Sequence, residues 1–201
     1  MAGTFEQSME QSRQDFQRII LPILQGLYPN SEIIHTEAMN DSWFKFLDIY
    51  SGVDVLLINH EKKIMQGIAS RIQRSDKCFE TFTIRLERDN CSPTEFFKRQ
   101  EAMQRGIFYP SLTYQAYIDP FGKQLIGMAI AHTNDILNYI VEEKPLIKHT
   151  NSNQFGQASF YVIYWHDFSQ SRQLVVIRPA SKGYIVTWRG GKKLLKSDSN
   201  E

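Results

Sequence analysis

The chain has 201 residues, 42% of them hydrophobic and 22% charged, and a formal net charge of +1. Such a chain is long enough for one domain with a real core, and its balance excludes a disordered protein and a globally basic nucleic-acid coat. Any contact with nucleic acid must then come from a local cleft. The two cysteines, Cys78 and Cys91, form neither a disulfide framework nor a zinc spacing, which points to reduced thiols in a cytoplasmic protein. The polar amino terminus carries no signal-peptide pattern, and no apolar run approaches the ~20 residues of a bilayer span, so no membrane partner is expected.

Residues 5–27 read as an amphipathic helix, because Met9, Phe16, Ile19, Ile20, Ile23, Leu24 and Leu27 recur at helical spacing. Pro22 should kink or split it. "EIIHTE" suggests a short strand. The following "NDSWFKFLDIYSG" suggests a helical turn with Trp43, Phe44 and Leu47 packed. Val53–Ile58, the turn "NHEKK" and Ile64–Gln73 predict a hairpin. In "FETFTIRL", alternation turns Phe79, Thr81, Thr83 and Arg85 to one face and Glu80, Phe82, Ile84 and Leu86 to the other. "SPTEFFKRQEAMQRG" is punctuated as a helix, with Ser92 as cap, Pro93 at the first helical position, Glu95 in the first turn and Gly106 beyond the end.

"SLTYQAYID" and "KQLIGMAIAH" flank the turn "PFG" as a second hairpin, and a helix over 133–143 stops before Pro145. "NSNQFGQ" reads as a polar loop. "SFYVIYW", "QLVVIRP" and "YIVTW" read as strands. The pattern gives about seven strands and three helices. The fold class expected is α+β, a mixed central β-sheet with flanking helices. Residues 1–190 form a single domain in this reading, and 191–201 a polar C-terminal tail.

The first hairpin carries the chemistry. Asp48 and Asp54 lie at its start, Arg71 and Gln73 near its end. Along the second strand Ala69, Arg71 and Gln73 share one face. Asp54, at the opposite end of the first strand, can lie across from them. A buried carboxylate needs a counter-charge or a metal ion, so two readings stand: a structural ion pair with Arg71, or a divalent-metal ligand helped by Asp48.

A helix, then "GVD", then a hairpin resembles the PD-(D/E)XK nuclease superfamily, in which the second strand of the hairpin carries an acid-x-lysine motif. The stretch "DIYSGVDVLLI...GIASRIQ" is similar to its phage and mobile-element variants. The resemblance covers about 30 residues, one hairpin. It implies a restriction-endonuclease-like fold and a metal-dependent DNA endonuclease or nickase, a hydrolase using Mg²⁺ or Mn²⁺. Asp54 matches the first motif acid and Arg71 the lysine position. Ala69 stands where the second acid belongs, and alanine ligates no metal. Asp48, or Glu10 from the first helix, is left to supply the missing ligand. Arg71 would act by charge, since arginine is no base, and Gln73 would orient water or substrate. Arg74, Arg85, Lys98 and Arg99 would grip DNA phosphates, with Arg71 and Arg85 facing one cleft. The absent acid equally suits a non-catalytic nucleic-acid-binding or adaptor protein that kept the fold. A homodimer or a protein partner stays open.

Other patterns carry less. His166 beside Asp167 follows an apolar strand, where strands commonly turn polar. His35, His60, His132 and His149 show no zinc spacing. No Rossmann, P-loop or nucleophile-elbow motif occurs. "WRGGKK" is a weak phosphate loop because no helix follows it.

Overall fold

In the computed structural model the described residues are 5–36, 39, 41–88, 94–152, 156–188 and 191–195. The amphipathic amino-terminal segment is helical throughout: α1 (Phe5–Asp15), a π-helical stretch (Phe16–Ile20) and α2 (Leu21–Leu27). Pro22 sits in the first turn of α2, and the helix absorbs it by widening into the π stretch just before, so the segment is neither broken nor split. Phe16, Ile19, Ile20, Ile23 and Leu24 are buried on one face. Each such side chain contributes about 1.5–3 kcal/mol by leaving water.

That face covers an eight-stranded mixed sheet. Its strands are β1 (Glu32–His35), β2 (Val55–Asn59), β3 (Ile64–Arg74), β5 (Pro110–Ile118), β6 (Leu125–His132), β9 (Val175–Ala180), β10 (Gly183–Trp188) and β11 (Gly191–Leu195), neighbours in that order. β1, β2 and β3 form an antiparallel meander, and β3 then runs parallel to β5. The connection between β3 and β5 holds β4 (Thr81–Arg88) and α4 (Glu95–Gln104). β4 joins β8 (Gly156–Tyr164) and β7 (Leu146–Ser152) in a separate antiparallel three-stranded sheet. The remaining helices are α3 (Ser42–Phe46), continued by a π stretch (Leu47–Ser51), α5 (Thr133–Glu143) and α6 (Trp165–Ser171). The protein is thus α+β with a mixed sheet and flanking helices.

Strand alternation assigns two cores to the two faces of the large sheet. Ile68, Leu112, Tyr114, Ala116 and Ile118 pack with the amino-terminal helices. Tyr117, Ala129 and Ala131 face the other way and pack with Phe82 and Ile84 of β4, α5 and Trp165. The two sheets are also stitched by polar bonds: Gln115 accepts from the Thr83 amide at 2.7 Å, and Thr81 and Tyr117 share a hydroxyl contact at 2.7 Å. Gly67 lies where β3 bulges against β5, and a Cβ there would stand 3.1 Å from the Pro110 backbone.

Several sequence expectations need correction. The described residues hold eleven strands and six α-helices, more than the pattern gave. Gly191–Leu195, expected in the tail, form β11, and Leu195 reaches the main core. Leu146–Ser152 form β7 despite a polar sequence, because pairing with β8 supplies the order that local propensity does not. Thr94 precedes α4 without a side-chain cap, its hydroxyl donating to the Leu86 carbonyl; Ser92 and Pro93, expected there, lie outside the described residues, as does Cys91. His166 and Asp167 begin α6 and pair with each other at 3.0 Å on the surface.

His35 stands at the end of β1, its ring 4.4 Å from that of Phe16. Burial, aided by the nearby Arg13 charge, pushes its pKa down to about 4. A histidine held neutral in the fold and protonated on unfolding destabilises the fold as pH drops below the ordinary value near 6.5, and the loss is complete near the folded pKa. We expect the wild type to lose up to about 3 kcal/mol more than His35→Phe between pH 7 and pH 4. Urea unfolding at the two pH values measures it; equal losses would refute this role.

Candidate functional site

The hairpin is fixed from both sides. The π stretch after α3 ends at Gly52, whose φ of 68° needs glycine's freedom and turns the chain into β2. Asp54 follows at once. Its amide donates to the Ile68 carbonyl at 3.0 Å, and its carbonyl accepts from the Thr36 amide at 2.9 Å. Its Oδ2 accepts from the Ser70 amide at 2.5 Å. The β2–β3 register ends with Val55 opposite Ile68, and Asp54, just before it, turns its carboxylate to the backbone of β3.

That face meets β4, β8 and α4. Arg71 Nη1 lies 3.4 Å from Glu95 Oε1, and Arg85 Nη1 lies 3.9 Å from the same oxygen. The Arg85 amide donates to Glu95 Oε2 at 3.3 Å. Both guanidiniums also stand over the Phe160 ring, 4.8 and 5.5 Å from its centroid. Arg99, one turn along α4 from Glu95, is 4% exposed, and its Nε and Nη1 have no hydrogen-bond partner among the described residues. Burial lowers its pKa, against the attraction of Glu95 and Asp54; a guanidinium remains charged even so. Burial pushes the Glu95 carboxyl up, but the charges of Arg71, Arg99 and Arg85 outweigh this and hold it below the usual carboxylate range.

The space above is a cleft of about 570 Å³ between the two sheets, lined by Arg71, Gln73, Arg85, Glu95, Lys148 and Phe160 among others. Ser12, Ser70, Ile72, Thr83, Thr150 and Val162 complete its walls. Among its described lining residues three cations face one carboxylate. Such a lining suits an anion with several oxygen acceptors.

The expected site residues are dispersed unevenly. Arg71 and Gln73 share one face, with Arg85 beside Arg71, while Asp54 turns to the β3 backbone. Asp48 is half-buried in the π stretch after α3; burial raises its pKa, and Lys98 partly offsets this. Lys98 is half-buried on α4 and Arg99 is buried, and neither is among the residues that line the cleft. Arg74 projects from the opposite face of β3, where Nε and Nη2 grip Asp15 at 2.9 and 2.8 Å. Glu10 is exposed on α1 beside Arg13 and Gln14. Sequence reading missed Glu95, Lys148 and Phe160 as site residues. Glu95 showed only as a first-turn acid, and nothing local marked the other two.

The fit of a divalent ion follows from these charges. Among the described residues no group of three or more His, Cys, Asp and Glu side chains is placed to hold a metal. Asp54 and Glu95 both lie within electrostatic reach of Arg99, yet Glu95 is already compensated by three guanidiniums, which repel a cation. These residues do not fit a resident Mg²⁺ or Mn²⁺ centre.

A scan against protein-family models gave no match, and searches of curated proteins and of solved structures returned none. No described helix is long and apolar enough to cross a membrane. Glu95→Gln leaves Arg99 buried with less compensation. It should cost about 1–3 kcal/mol at pH 7, below the usual penalty for a broken buried pair because Glu95 is partly exposed. Since the folded pKa of Glu95 is depressed, its stabilisation is present above the unfolded value and disappears as pH falls through the folded one. Urea unfolding of both proteins from pH 7 to pH 3 should show the difference shrinking; a constant gap would contradict the assignment.

Proposed function

We propose that the cleft binds the phosphodiester backbone of a nucleic acid and does not hydrolyse it. The observation that carries this is the pairing of Arg71 and Arg85 on one aromatic ring, with Lys148 on the same cleft. Guanidiniums bind phosphate oxygens through two parallel N–H bonds, and Glu95 and Phe160 hold these two in place before any ligand arrives. Contacts of this kind position a backbone and read no sequence. The neutral net charge of the chain is no obstacle, because only the cleft needs to be positive.

The hairpin's resemblance to the PD-(D/E)XK nucleases supports a nuclease-derived module, with DNA as its partner and a cytoplasmic setting. The chemistry of the donor set supports binding over cleavage: Ala69 stands where the second motif acid belongs, and Glu95 is spent on arginines.

The test is anisotropy titration with a labelled oligonucleotide across salt concentrations. The wild type should bind with affinity falling steeply in salt. Arg71→Ala with Arg85→Ala should weaken binding at least about tenfold and reduce the salt slope by about two. Supercoiled plasmid with Mg²⁺ or Mn²⁺ should stay intact. Cutting that is lost in Asp54→Asn would replace this reading with the endonuclease; no binding at low salt would end both.

A further inference from the structure

A second cavity, of about 530 Å³, lies between α6 and the strands β9 and β10 and shares no residue with the cleft. Alternation turns Leu174, Val176 and Arg178 to one face, and Thr187 of β10 stands opposite Val176, so these four residues form its floor. Trp165, at the start of α6, forms a wall. Trp188 stands where β9 begins, opposite Val175, and closes that end. Its indole packs against Gly191, where a Cβ would come within 2.9 Å of the ring, and it is 42% exposed. Three residues of strand, about 10 Å, separate this end from Arg178.

Arg178 is held in place from several sides. Its Nη2 donates to Glu80 Oε1 at 2.7 Å and its Nη1 to Cys78 Sγ at 3.3 Å. The guanidinium stands 5.2 Å from the centroid of the Trp165 ring. Gly127 of β6 leaves the room it occupies, since a Cβ there would overlap Nη1. Glu80 has a φ of 54°, a left-handed conformation that residues with a side chain seldom adopt. Strained backbone of this kind clusters at ligand clamps. The Glu80 carboxylate lines the cavity and is half-exposed, so Arg178 already holds a carboxylate that water can solvate in its stead. Two guanidiniums, Arg172 and Arg178, face this one carboxylate in the lining; Arg172 is also bonded to Glu142 of α5, outside it.

We infer that this cavity binds a small aromatic carboxylate, whose carboxylate takes the place of Glu80 on Arg178 and whose ring reaches Trp188. A guanidinium meets a carboxylate through paired N–H bonds, and one already fixed in direction gives up little freedom on binding. A floor about 10 Å long, apolar except at its end, suits a flat body of two fused rings. The exposed indole offers that body an aromatic face. A cationic ligand would meet two guanidiniums, and an uncharged one would leave Arg178 with Glu80 and gain the floor alone. The site is independent of the cleft and of the nucleic-acid reading.

The experiment is a ligand-observed NMR titration with naphthalene-2-carboxylate and, as its uncharged counterpart, 2-naphthamide. The proteins are the wild type, Glu80→Gln, Arg178→Gln, Trp188→Ala, and Arg71→Ala with Arg85→Ala, each checked by circular dichroism. The wild type should bind the carboxylate with a Kd of about 1 mM or tighter, ordinary for a ligand of this size. The amide should bind at least about tenfold more weakly, and Arg178→Gln should weaken the carboxylate by as much. Trp188→Ala should cost at least about threefold. Glu80→Gln, which removes the competing carboxylate, should bind about threefold more tightly, a gain in keeping with an exposed ion pair. The cleft variant should bind like the wild type. Should Arg178→Gln fail to fold, Glu80→Gln and Trp188→Ala, at more exposed positions, decide the matter. No binding by the wild type, equal binding of carboxylate and amide, no tightening in Glu80→Gln, or a loss confined to the cleft variant would each overturn the inference.

Discussion

One carboxylate organises the middle of this protein. Glu95 faces guanidiniums from three elements: Arg71 of β3 in the large sheet, Arg85 of β4 in the small sheet, and Arg99 of its own helix. Without it, three positive charges would converge at the seam between the sheets, one of them fully buried. Moving an isolated charge out of water costs several kcal/mol, so the seam closes only because Glu95, with Asp54, compensates it. The same arrangement leaves the exposed edges of Arg71 and Arg85 fixed in direction. A ligand meeting them does not have to order two long side chains, which is where much of the cost of binding an anion lies.

β3 separates stability from binding by alternation. On one face Ile68 and Ile72 join the core under the amino-terminal helices, and Arg74 continues that face by locking the buried Asp15 of α1. On the other, Arg71 and Gln73 look into the cleft. Arg71 and Arg74 look alike in sequence, yet they do different work because their positions differ by an odd number of residues. A slip of one residue would expose the Asp15 partner and bury the cleft cation. Register is therefore pinned tightly, by the Gly67 bulge against Pro110 and by the bond from the Ser70 amide to Asp54.

What could be read from the sequence was what depends on local period. The hairpin, the two faces of "FETFTIRL" and the meeting of Arg71 with Arg85 follow from alternation, and the structure places Thr81 and Thr83 against the large sheet while Phe82 and Ile84 enter the core. The role of Glu95 was not legible, because its partners lie 24 and 10 residues away and are brought together by the crossover between β3 and β5. Phe160 was hidden for the same reason: its strand reaches the cleft through the second sheet. Trp43 was expected to pack with Phe44 and Leu47. A run of adjacent aromatics does not tell which turns inward, and here Leu47 and Phe44 set the helix phase and leave Trp43 in solvent. β7 and β11 escaped because their sequences are polar and their order comes from a paired neighbour.

The position of Gly52 ties these parts into one device. It must adopt a left-handed conformation to end the π stretch. On one side of it the chain presents rings to solvent; on the other it delivers Asp54 to the backbone of β3. A side chain at this position would meet Arg99 only at ordinary contact distance, so what the turn into Asp54 requires of Gly52 is its left-handed backbone.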